Sequence, residues 1–172
     1  LDFGLVYCPE RFVGGRAMDE IISVPHMLAG FGEKSVRSAQ ALFHLIGGEV
    51  ITSESVEVAE TAKLFDNVYR HANIALANEL GLICEALNID MLEVLKLCNS
   101  GPRTNIMLPG AGVGGSCLGK DPQAVAKLAE KSGLTPRLIV AAIDMNERIL
   151  EHTVDLIVSA YKQLGRRLAG SK

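Results

Sequence analysis

The sequence predicts a mainly α protein: a helical domain preceded by the edge of an α/β domain. Aromatic residues make up only 5% of the 172 residues and there is no Trp, which suits helices packed through aliphatic side chains more than a β-sandwich. Over roughly the first fifty residues, apolar runs of strand length alternate with a helical pattern. Between Ser55 and Asn88 there is no Pro and one Gly, which favours a single long helix.

The first part of the chain is predicted to alternate between strand and helix. Its elements are, in order, a strand over 1–8, a Pro- and Gly-rich loop over 9–16, a strand over 23–31, a helix over 33–46 and a short strand over 49–52. The helix is predicted to end at Gly47, because glycine is a common C-terminal stop. Residues 1–53 are therefore predicted to be the C-terminal edge of an α/β domain.

The second part, residues 54–172, is predicted to be a helical domain. Its elements are a helix over 54–88 capped by Ser53 or Ser55, a helix over 91–99 capped by Asp90, a glycine-rich loop over 101–119, a helix opened by Asp121 and Pro122 and closed by Gly133, and a last helix over 136–165. The basic residues that end the last helix, Lys162, Arg166 and Arg167, are interpreted as a solvated terminus.

The long 54–88 helix has apolar residues on several faces, so it should be buried on more than one side. Small residues such as Ala72 and Gly81 would let another helix approach closely. These features predict a homodimer formed through the 54–88 helix. The alternative is that further domains of a longer protein cover this face.

Composition argues against several classes of function. A formal net charge of −3 disfavours a general nucleic-acid binder, and no apolar run approaches the ~20 residues that span a bilayer. The four cysteines are scattered, without CxxC or a His at ligand spacing, so we expect no metal site and a reducing, cytoplasmic location. The chain begins at Leu1 inside a strand-like run, and we expect it to be a piece of a longer protein.

Two motifs in the glycine-rich loop are misleading. Gly110 to Gly115 matches GxGxxG, but a dinucleotide fingerprint needs a strand that leads into the first glycine and a helix that starts at the last. Pro109 precedes the pattern, and the next helix is predicted only at Asp121. Gly114 to Lys120 resembles a P-loop, yet Asp121 stands where Ser or Thr would bind magnesium. Both nucleotide-binding interpretations are rejected.

Cys117 is the candidate nucleophile. It lies in the glycine-rich loop just before a predicted helix N-terminus, three residues from Lys120, and both neighbours favour the thiolate form. Cys8, Cys84 and Cys98 lie in a predicted strand and in apolar helices, where a buried, inert thiol is expected. The glycines of the loop would allow a bulky ligand to lie against backbone N–H groups.

A polar stripe runs along the 54–88 helix. Lys63 and Asn67 are four residues apart and share a face, and further polar residues lie near the same side, namely Glu60, Arg70, His71 and Asn78. Periodicity alone does not decide whether the stripe faces solvent or lines a site. His71 has no evident partner and is interpreted as a structural histidine.

Three segments together resemble the UDP-glucose/UDP-N-acetylmannosamine dehydrogenase family. They are CPER (8–11), AKLFDNVYRHANIALANEL (62–80) and GAGVGGSCLGKDP (110–122). The resemblance covers essentially the whole chain. It implies the end of an NAD-binding Rossmann domain followed by the central helical dimerisation domain, similar to the C-terminal domain of 6-phosphogluconate dehydrogenase.

The resemblance also implies an activity and roles for individual residues. The activity is oxidation of C6 of a UDP-sugar substrate to a carboxylate with two NAD⁺, through a thiohemiacetal and a thioester on Cys117. Lys63 and Asn67 would stabilise the oxyanion, Asp121 would position or deprotonate water, and Glu10 would assist hydrolysis. The substrate-binding residues would be Gly112, Gly114, Gly115 and Arg103, and Lys120 would contact the NAD cofactor, which a domain outside this chain would mainly bind.

The sequence departs from the family pattern at two positions. Gly119 replaces a usual Pro, and Gly14 stands four residues beyond Glu10, where glucose enzymes often carry a second acid. CPER, GVGG and Pro122 favour the N-acetylmannosamine branch, with UDP-glucose as the alternative substrate. The alternative of another class is a non-catalytic dimerisation domain of a hydroxyacid-type dehydrogenase, in which no cysteine would be expected in a glycine-rich loop.

Overall fold

The computed structural model describes residues 3–171 and confirms the mainly α fold. Its elements are β1 (Val6–Tyr7), α1 (Ala17–Ser23), β2 (His26–Gly30), α2 (Glu33–Ile46), β3 (Val50–Ser53), α3 (Val56–Ala86), α4 (Met91–Cys98), α5 (Ser116–Lys131) and α6 (Arg137–Gln163). The chain forms two compact units that divide between Asp66 and Asn67, inside α3. The domain boundary expected between residues 53 and 54 stays a prediction.

The first unit contains a three-stranded sheet in the order β1-β2-β3. β1 pairs antiparallel with β2, and β2 pairs parallel with β3, His26 lying opposite Val50. Helix α2 makes the crossover between the parallel strands, as parallel pairing requires. Leu28 and Ala29 of β2 are fully buried. The predicted alternation of strand and helix is therefore found, although residues 1 and 2 of the first predicted strand lie outside the described residues.

Helix α1 is absent from the prediction, which has a loop up to residue 16 and a strand from residue 23. Its seven residues, Ala17–Ser23, include four apolar side chains, none of them buried, and the run is too short for the spacing of Met18, Ile21 and Ile22 to distinguish a helix from a strand. Glu20 stabilises it locally, since its carboxylate accepts a hydrogen bond from the Val13 backbone at 2.7 Å and lies 3.8 Å from Arg16.

The helix-capping predictions for α2, α3 and α4 agree with the structure. Gly47 adopts a left-handed conformation at the end of α2, with φ of 89°. The Ser55 hydroxyl accepts a hydrogen bond from Val58 N at 3.3 Å at the start of α3. Asp90 caps α4 by accepting from Leu92 N at 2.8 Å. Each contact satisfies an N–H or C=O group that a helix end leaves free.

The predicted start of α5 at Asp121 is wrong. The helix begins at Ser116, and Pro122 lies inside it as the seventh residue. The prediction used the preference of Pro for the first helical turn, where no N–H donor is needed. An interior Pro loses one hydrogen bond and crowds the carbonyl four residues before it, so a helix that continues across it requires support from elsewhere.

The second unit is built from the rest of α3 with α4, α5 and α6, and α5 packs against α6. Its buried apolar residues are small or aliphatic: Ala75, Ala77, Cys84, Leu95, Val125, Ala126, Ala142 and Ile149. Gly81 of α3 fits this packing, because a Cβ there would lie 3.2 Å from the Pro109 ring. Within residues 3–171, none of the helices combines the length and apolar character that crossing a membrane requires.

Candidate active site

Three polar residues of the α3 stripe are buried, and these three lie at the candidate site. Asn67, His71 and Asn78 are exposed by only 3%, 3% and 1%, and their spacing places them on one face of the helix. Glu60 and Arg70 are exposed, so the stripe divides into a solvent side and a buried side. Buried polar side chains are expected to be hydrogen-bonded, and the partners of these three define the site.

Asn67 holds Asp121 in place. Its amide Nδ2 donates a hydrogen bond of 2.6 Å to Asp121 Oδ2, which joins α3 to the first half of α5. A hydrogen bond to a carboxylate is stronger than one between neutral groups. Of the residues proposed from the sequence, this pair is brought into direct contact, although the two are 54 residues apart in the chain.

Cys117 is the second residue of α5 and is exposed, rather than lying in the loop ahead of the helix. Its sulfur is 3.7 Å from Ser116 Oγ. Gly115 precedes the helix with φ of 83°, and no side chain caps this end. The turn that carries the thiol therefore has free N–H groups and the positive end of the helix dipole. Asp121 follows one turn later on the same helix.

His71 contacts the turn that carries Cys117. Its Nδ1 lies 2.9 Å from the carbonyl oxygen of Leu118, and because a carbonyl only accepts, Nδ1 is the donor. His71 thus has a partner that the sequence does not reveal, since the contact is to a backbone atom 47 residues away.

Asn78 and Asn146 fix the other end of the glycine-rich segment. Asn78 Oδ1 accepts from Gly110 N at 2.8 Å, and its Nδ2 donates to Asn146 Oδ1 at 3.5 Å. Asn146 Nδ2 in turn donates to the His71 carbonyl at 3.2 Å. Sequence reasoning missed Asn146. The available signal was a polar residue on the face of α6 that carries Ala142 and Ile149, both buried.

Gly112 is required by packing within the protein. Its φ is 91°, and a Cβ would lie 2.8 Å from the Asn146 carbonyl oxygen. Gly110, Gly114, Gly115 and Gly119 face open space instead. The loop therefore has one glycine buried against α6 and several whose backbone a ligand could approach.

The GxGxxG pattern does not form a dinucleotide cradle. Helix α5 starts directly after Gly115, so the expectation that the next helix waits until Asp121 is wrong. The strand requirement still fails, because residues 104–115 contain neither strand nor helix. Moreover, Gly110 N already donates to Asn78. The described residues of this loop do not fit NAD.

The remaining predicted site residues lie elsewhere in the fold. Lys63 is half-buried on α3, one turn before Asn67, and forms no ion pair with any residue of the described range. Glu10 is exposed in the loop after β1, where its carboxylate accepts a hydrogen bond from Phe12 N. Arg103 lies exposed in the turn after α4, and Lys120 is exposed on α5.

Arg11 is a further residue that the prediction did not single out. Its guanidinium bonds Asp66 Oδ2 at 3.2 Å and the Pro25 carbonyl at 3.2 Å. Within the first unit it therefore anchors the loop that carries Glu10 to Asp66, the eleventh residue of α3. The CPER motif contained the residue, but its partners are separated from it by up to 55 positions.

The other three cysteines differ in exposure. Cys84 is buried and Cys8 is half-buried, as expected for inert thiols, and burial raises the pKa of Cys8. The expectation of a buried Cys98 is wrong, because this residue is exposed at the C-terminal end of α4. No three His, Cys, Asp or Glu side chains of residues 3–171 group as metal ligands.

Comparisons with known proteins identify the family. The model of the UDP-glucose/GDP-mannose dehydrogenase family, central domain, matches residues 57–148. UDP-N-acetyl-D-mannosamine dehydrogenase of Methanococcus maripaludis is 32% identical over 162 residues, which cover 94% of this chain and 37% of that protein. NDP-N-acetyl-D-galactosaminuronic acid dehydrogenase of Ralstonia nicotianae is 34% identical over 167 residues, covering 96% and 38%.

A solved structure supports the same assignment. That of UDP-D-ManNAc dehydrogenase from Pyrococcus horikoshii superimposes with a TM-score of 0.84 at 32% identity, covering 96% of this chain and 39% of that one. The chain belongs to the UDP-glucose/GDP-mannose dehydrogenase family. It spans less than two fifths of the length of these relatives.

Proposed function

We propose that this chain is the central catalytic part of a UDP-N-acetyl-D-mannosamine 6-dehydrogenase, which oxidises the C6 alcohol of the sugar to a carboxylate with two NAD⁺. The observation that carries the proposal is the exposed thiol of Cys117 in the first turn of α5, one turn before a carboxylate that Asn67 holds at 2.6 Å. Membership of the family and relatives named for this substrate support it.

The thiol of Cys117 has the properties that oxidation beyond an aldehyde requires. A sulfur nucleophile adds readily to an aldehyde carbon and leaves readily from a thioester. Addition gives a thiohemiacetal, loss of a hydride gives a thioester, and water releases the carboxylic acid and the free thiol. The uncapped N-terminus of α5 leaves backbone N–H groups free on the turn that carries this sulfur.

In the proposal, four further side chains serve the hydrolysis and the oxyanion. Asp121 is half-buried one turn from Cys117, and in the proposal it positions or deprotonates the attacking water. Asn67 donates to Asp121 and in the proposal also offers a hydrogen bond to the developing oxyanion. Lys63, one turn earlier on α3, supplies positive charge, and Glu10 assists proton transfer during hydrolysis.

NAD⁺, when bound, accepts the hydride in each of the two oxidations. The glycine-rich loop does not fit the cofactor, as described above, so the proposal assigns its binding mainly to a domain outside this chain, with Lys120 in contact. What the residues of this chain contribute is the nucleophile, the oxyanion donors and the water-positioning carboxylate.

The second candidate function is a non-catalytic dimerisation domain of a related dehydrogenase. An exposed cysteine at an uncapped helix N-terminus argues against it, because packing between subunits does not require a thiol there. The two candidates predict different outcomes for substitution of Cys117.

The deciding experiment uses the full-length enzyme that carries this chain as its central part. The wild-type enzyme should form two NADH per UDP-N-acetylmannosamine. Cys117→Ala should lower kcat by roughly 10³-fold or more, since covalent catalysis is lost. Asp121→Asn should slow hydrolysis, so that mass-spectrometric peptide mapping finds a uronyl group on the Cys117 peptide. Cys98→Ala, a change at the other exposed thiol, is the matched control and should keep full activity.

A fully active Cys117→Ala enzyme would refute the catalytic role and favour the dimerisation domain. The same assay compares substrates: a higher kcat/KM for UDP-glucose than for UDP-N-acetylmannosamine would move the protein to the glucose branch while leaving the role of Cys117 intact. The two conclusions therefore stand or fall separately.

A further inference from the structure

Helix α5 lacks one of its own hydrogen bonds next to the proposed nucleophile. In an α-helix the carbonyl of residue 118 accepts from the N–H of residue 122. Residue 122 is Pro, which has no N–H. The Leu118 carbonyl, directly after Cys117, is therefore left without its internal donor. Pro122 is also fully buried, so water does not readily reach this part of the helix.

His71 supplies the missing donor. Its Nδ1 lies 2.9 Å from the Leu118 oxygen, and the side chain is only 3% exposed. A buried carbonyl without a partner costs about 1–3 kcal/mol, so this bond stabilises the helical turn ahead of Pro122. His71 belongs to α3, which also presents Asn67 to Asp121, three residues after Leu118 on α5.

We propose that His71 is a positioning residue for Cys117: it replaces the hydrogen bond that Pro122 removes and so holds the turn that carries the thiol. The importance of His71 for catalysis rests on the proposed function. Its structural role, holding the turn that carries Cys117, does not depend on that function. His71 touches the Leu118 carbonyl and acts on the thiol only through the backbone.

The other ring nitrogen supports this assignment. His71 Nε2 is buried and has no hydrogen-bond partner among the described residues. Since Nε2 makes no hydrogen bond, the contact of Nδ1 with the Leu118 carbonyl is the one hydrogen bond that the ring makes within residues 3–171. The Nδ1 contact is therefore what the ring contributes, and asparagine, whose Nδ2 is also attached to Cγ, can reproduce it.

The first test needs no substitution. In the wild-type chain, long-range ¹H–¹⁵N correlation spectra of the neutral ring should show His71 protonated on Nδ1, because the Leu118 carbonyl requires a donor. Protonation on Nε2 instead would overturn the proposal. This tautomer is the less common one for a free imidazole, so a structural role without the bond does not predict it.

The second test follows amide exchange in the first turn of α5. Helical geometry bonds the amides of Lys120 and Asp121 to the carbonyls of Ser116 and Cys117. His71→Leu should speed exchange of these two amides by about fivefold or more, the equivalent of one lost buried hydrogen bond. His71→Asn should restore exchange to within about twofold of wild type. Amides of α6 in the same sample report any general loss of stability.

The third test restores the internal bond. In a Pro122→Ala background the residue-122 N–H can donate to the Leu118 carbonyl, so His71→Leu should change exchange at Lys120 and Asp121 by less than about twofold. An effect as large as in the wild-type background would overturn the idea that His71 replaces the proline's missing donor. If His71→Leu does not fold, the tautomer of His71 in the wild-type chain and the amide exchange rates of His71→Asn still test the proposal.

Brief alkylation links the turn to the thiol. Loosening the helix terminus in His71→Leu should slow labelling of Cys117 by about two- to fivefold, the size of a helix-terminus effect, while the exposed Cys98 stays unchanged. Equal labelling of Cys117 in both proteins would overturn the positioning role. None of these measurements uses dehydrogenase activity, so failure here is distinct from failure of the proposed function.

Discussion

At the scale of single residues, the cysteines differ most in what surrounds them. Cys117 and Cys98 are both exposed, but Cys117 lies at the start of α5 and Cys98 at the end of α4. A helix N-terminus presents free N–H groups and a C-terminus presents free carbonyls, so the two thiols lie at helix ends of opposite polarity. Exposure alone would make the two thiols equivalent, so a comparison between them isolates the effect of position.

We predict that Cys117 is the most reactive thiol of the native chain. Brief alkylation at neutral pH followed by mass-spectrometric peptide mapping should find it labelled about two- to fivefold faster than Cys98, with Cys84 protected until the chain unfolds. Cys117→Ser removes the fast phase and serves as the control. Faster labelling of Cys98 or Cys84 would contradict the prediction.

Cys8 should show a distinct pH dependence. Burial raises its pKa, so in the folded chain its thiolate forms at higher pH than in the unfolded chain, where the ordinary value is about 8.5. The stability that comes from keeping this thiol neutral is present at pH values below its pKa in the unfolded chain. It is lost as the pH rises through its pKa in the folded chain. Labelling of Cys8 should rise only above about pH 8.5 in the native chain, and unfolding in urea should move the rise downward.

The candidate site residues could be chosen from the sequence, but their contacts could not be predicted. Cys117 stands out as a cysteine in a glycine-rich loop, whereas the roles of Asn67 and Asp121 come from the family resemblance. The Asn67–Asp121 bond joins positions 54 residues apart, and the partner of His71 is a backbone carbonyl, which leaves no mark in the sequence. Asn146 was overlooked because a single amide in an amphipathic helix resembles a surface residue.

At the scale of elements, the sequence predicts long periodic helices well. The expected 33–46 helix coincides with α2, and the expected 54–88 helix exceeds α3 by two residues at each end. Helix α1 was missed because seven residues are too few for helical spacing of apolar residues to stand out. The start of α5 was misplaced because the prediction relied on the preference of Pro for the first helical turn. The sequence does not reveal the hydrogen bond between His71 and the Leu118 carbonyl, which supports a helix that begins earlier.

Gly112 and Gly114 provide a matched pair within the glycine-rich loop. Gly112→Ala should lower the free energy of unfolding by about 1–3 kcal/mol, because φ of 91° strains any Cβ, which would also meet the Asn146 carbonyl at 2.8 Å. In Gly114→Ala the added Cβ would have nothing within 4 Å, so the free energy of unfolding should change by no more than about 0.5 kcal/mol. Urea unfolding followed by circular dichroism gives both values, and equal effects would contradict the packing role of Gly112.

At the scale of the whole molecule, we predict that the chain by itself neither binds NAD⁺ nor oxidises a UDP-sugar. The loop that matches GxGxxG has no strand leading into it, and Gly110 N is occupied by Asn78. Isothermal calorimetry with NAD⁺ should show no binding in the micromolar range, with a nicotinamide-dependent dehydrogenase as the positive control. Micromolar binding to the chain would mean that a dinucleotide site is present here after all.

The second unit has an apolar surface that a dimer would cover. Tyr69, Leu76 and Ile83 recur every seven residues along α3 and are 69%, 51% and 49% exposed, a spacing typical of a helix that packs along a partner. Tyr69 and Leu76 also line a groove of about 350 Å³ between α3 and α6, together with Leu138, Ala141 and Met145 among others. Large exposed apolar patches mark interaction sites.

We predict that this surface makes the chain a homodimer in dilute solution. Burying apolar area at about 25 cal/mol per Å² gives a substantial gain for a stripe that two copies can share. Static light scattering should therefore report twice the chain mass of 18.4 kDa. Leu76→Glu places a charge in the middle of the stripe and should return the mass to that of one chain. Leu45→Glu, at a leucine 85% exposed on α2, is the matched control and should leave the dimer intact. A wild-type mass of 18.4 kDa without aggregation would exclude the dimer, and dissociation by both variants would place the interface elsewhere than on α3.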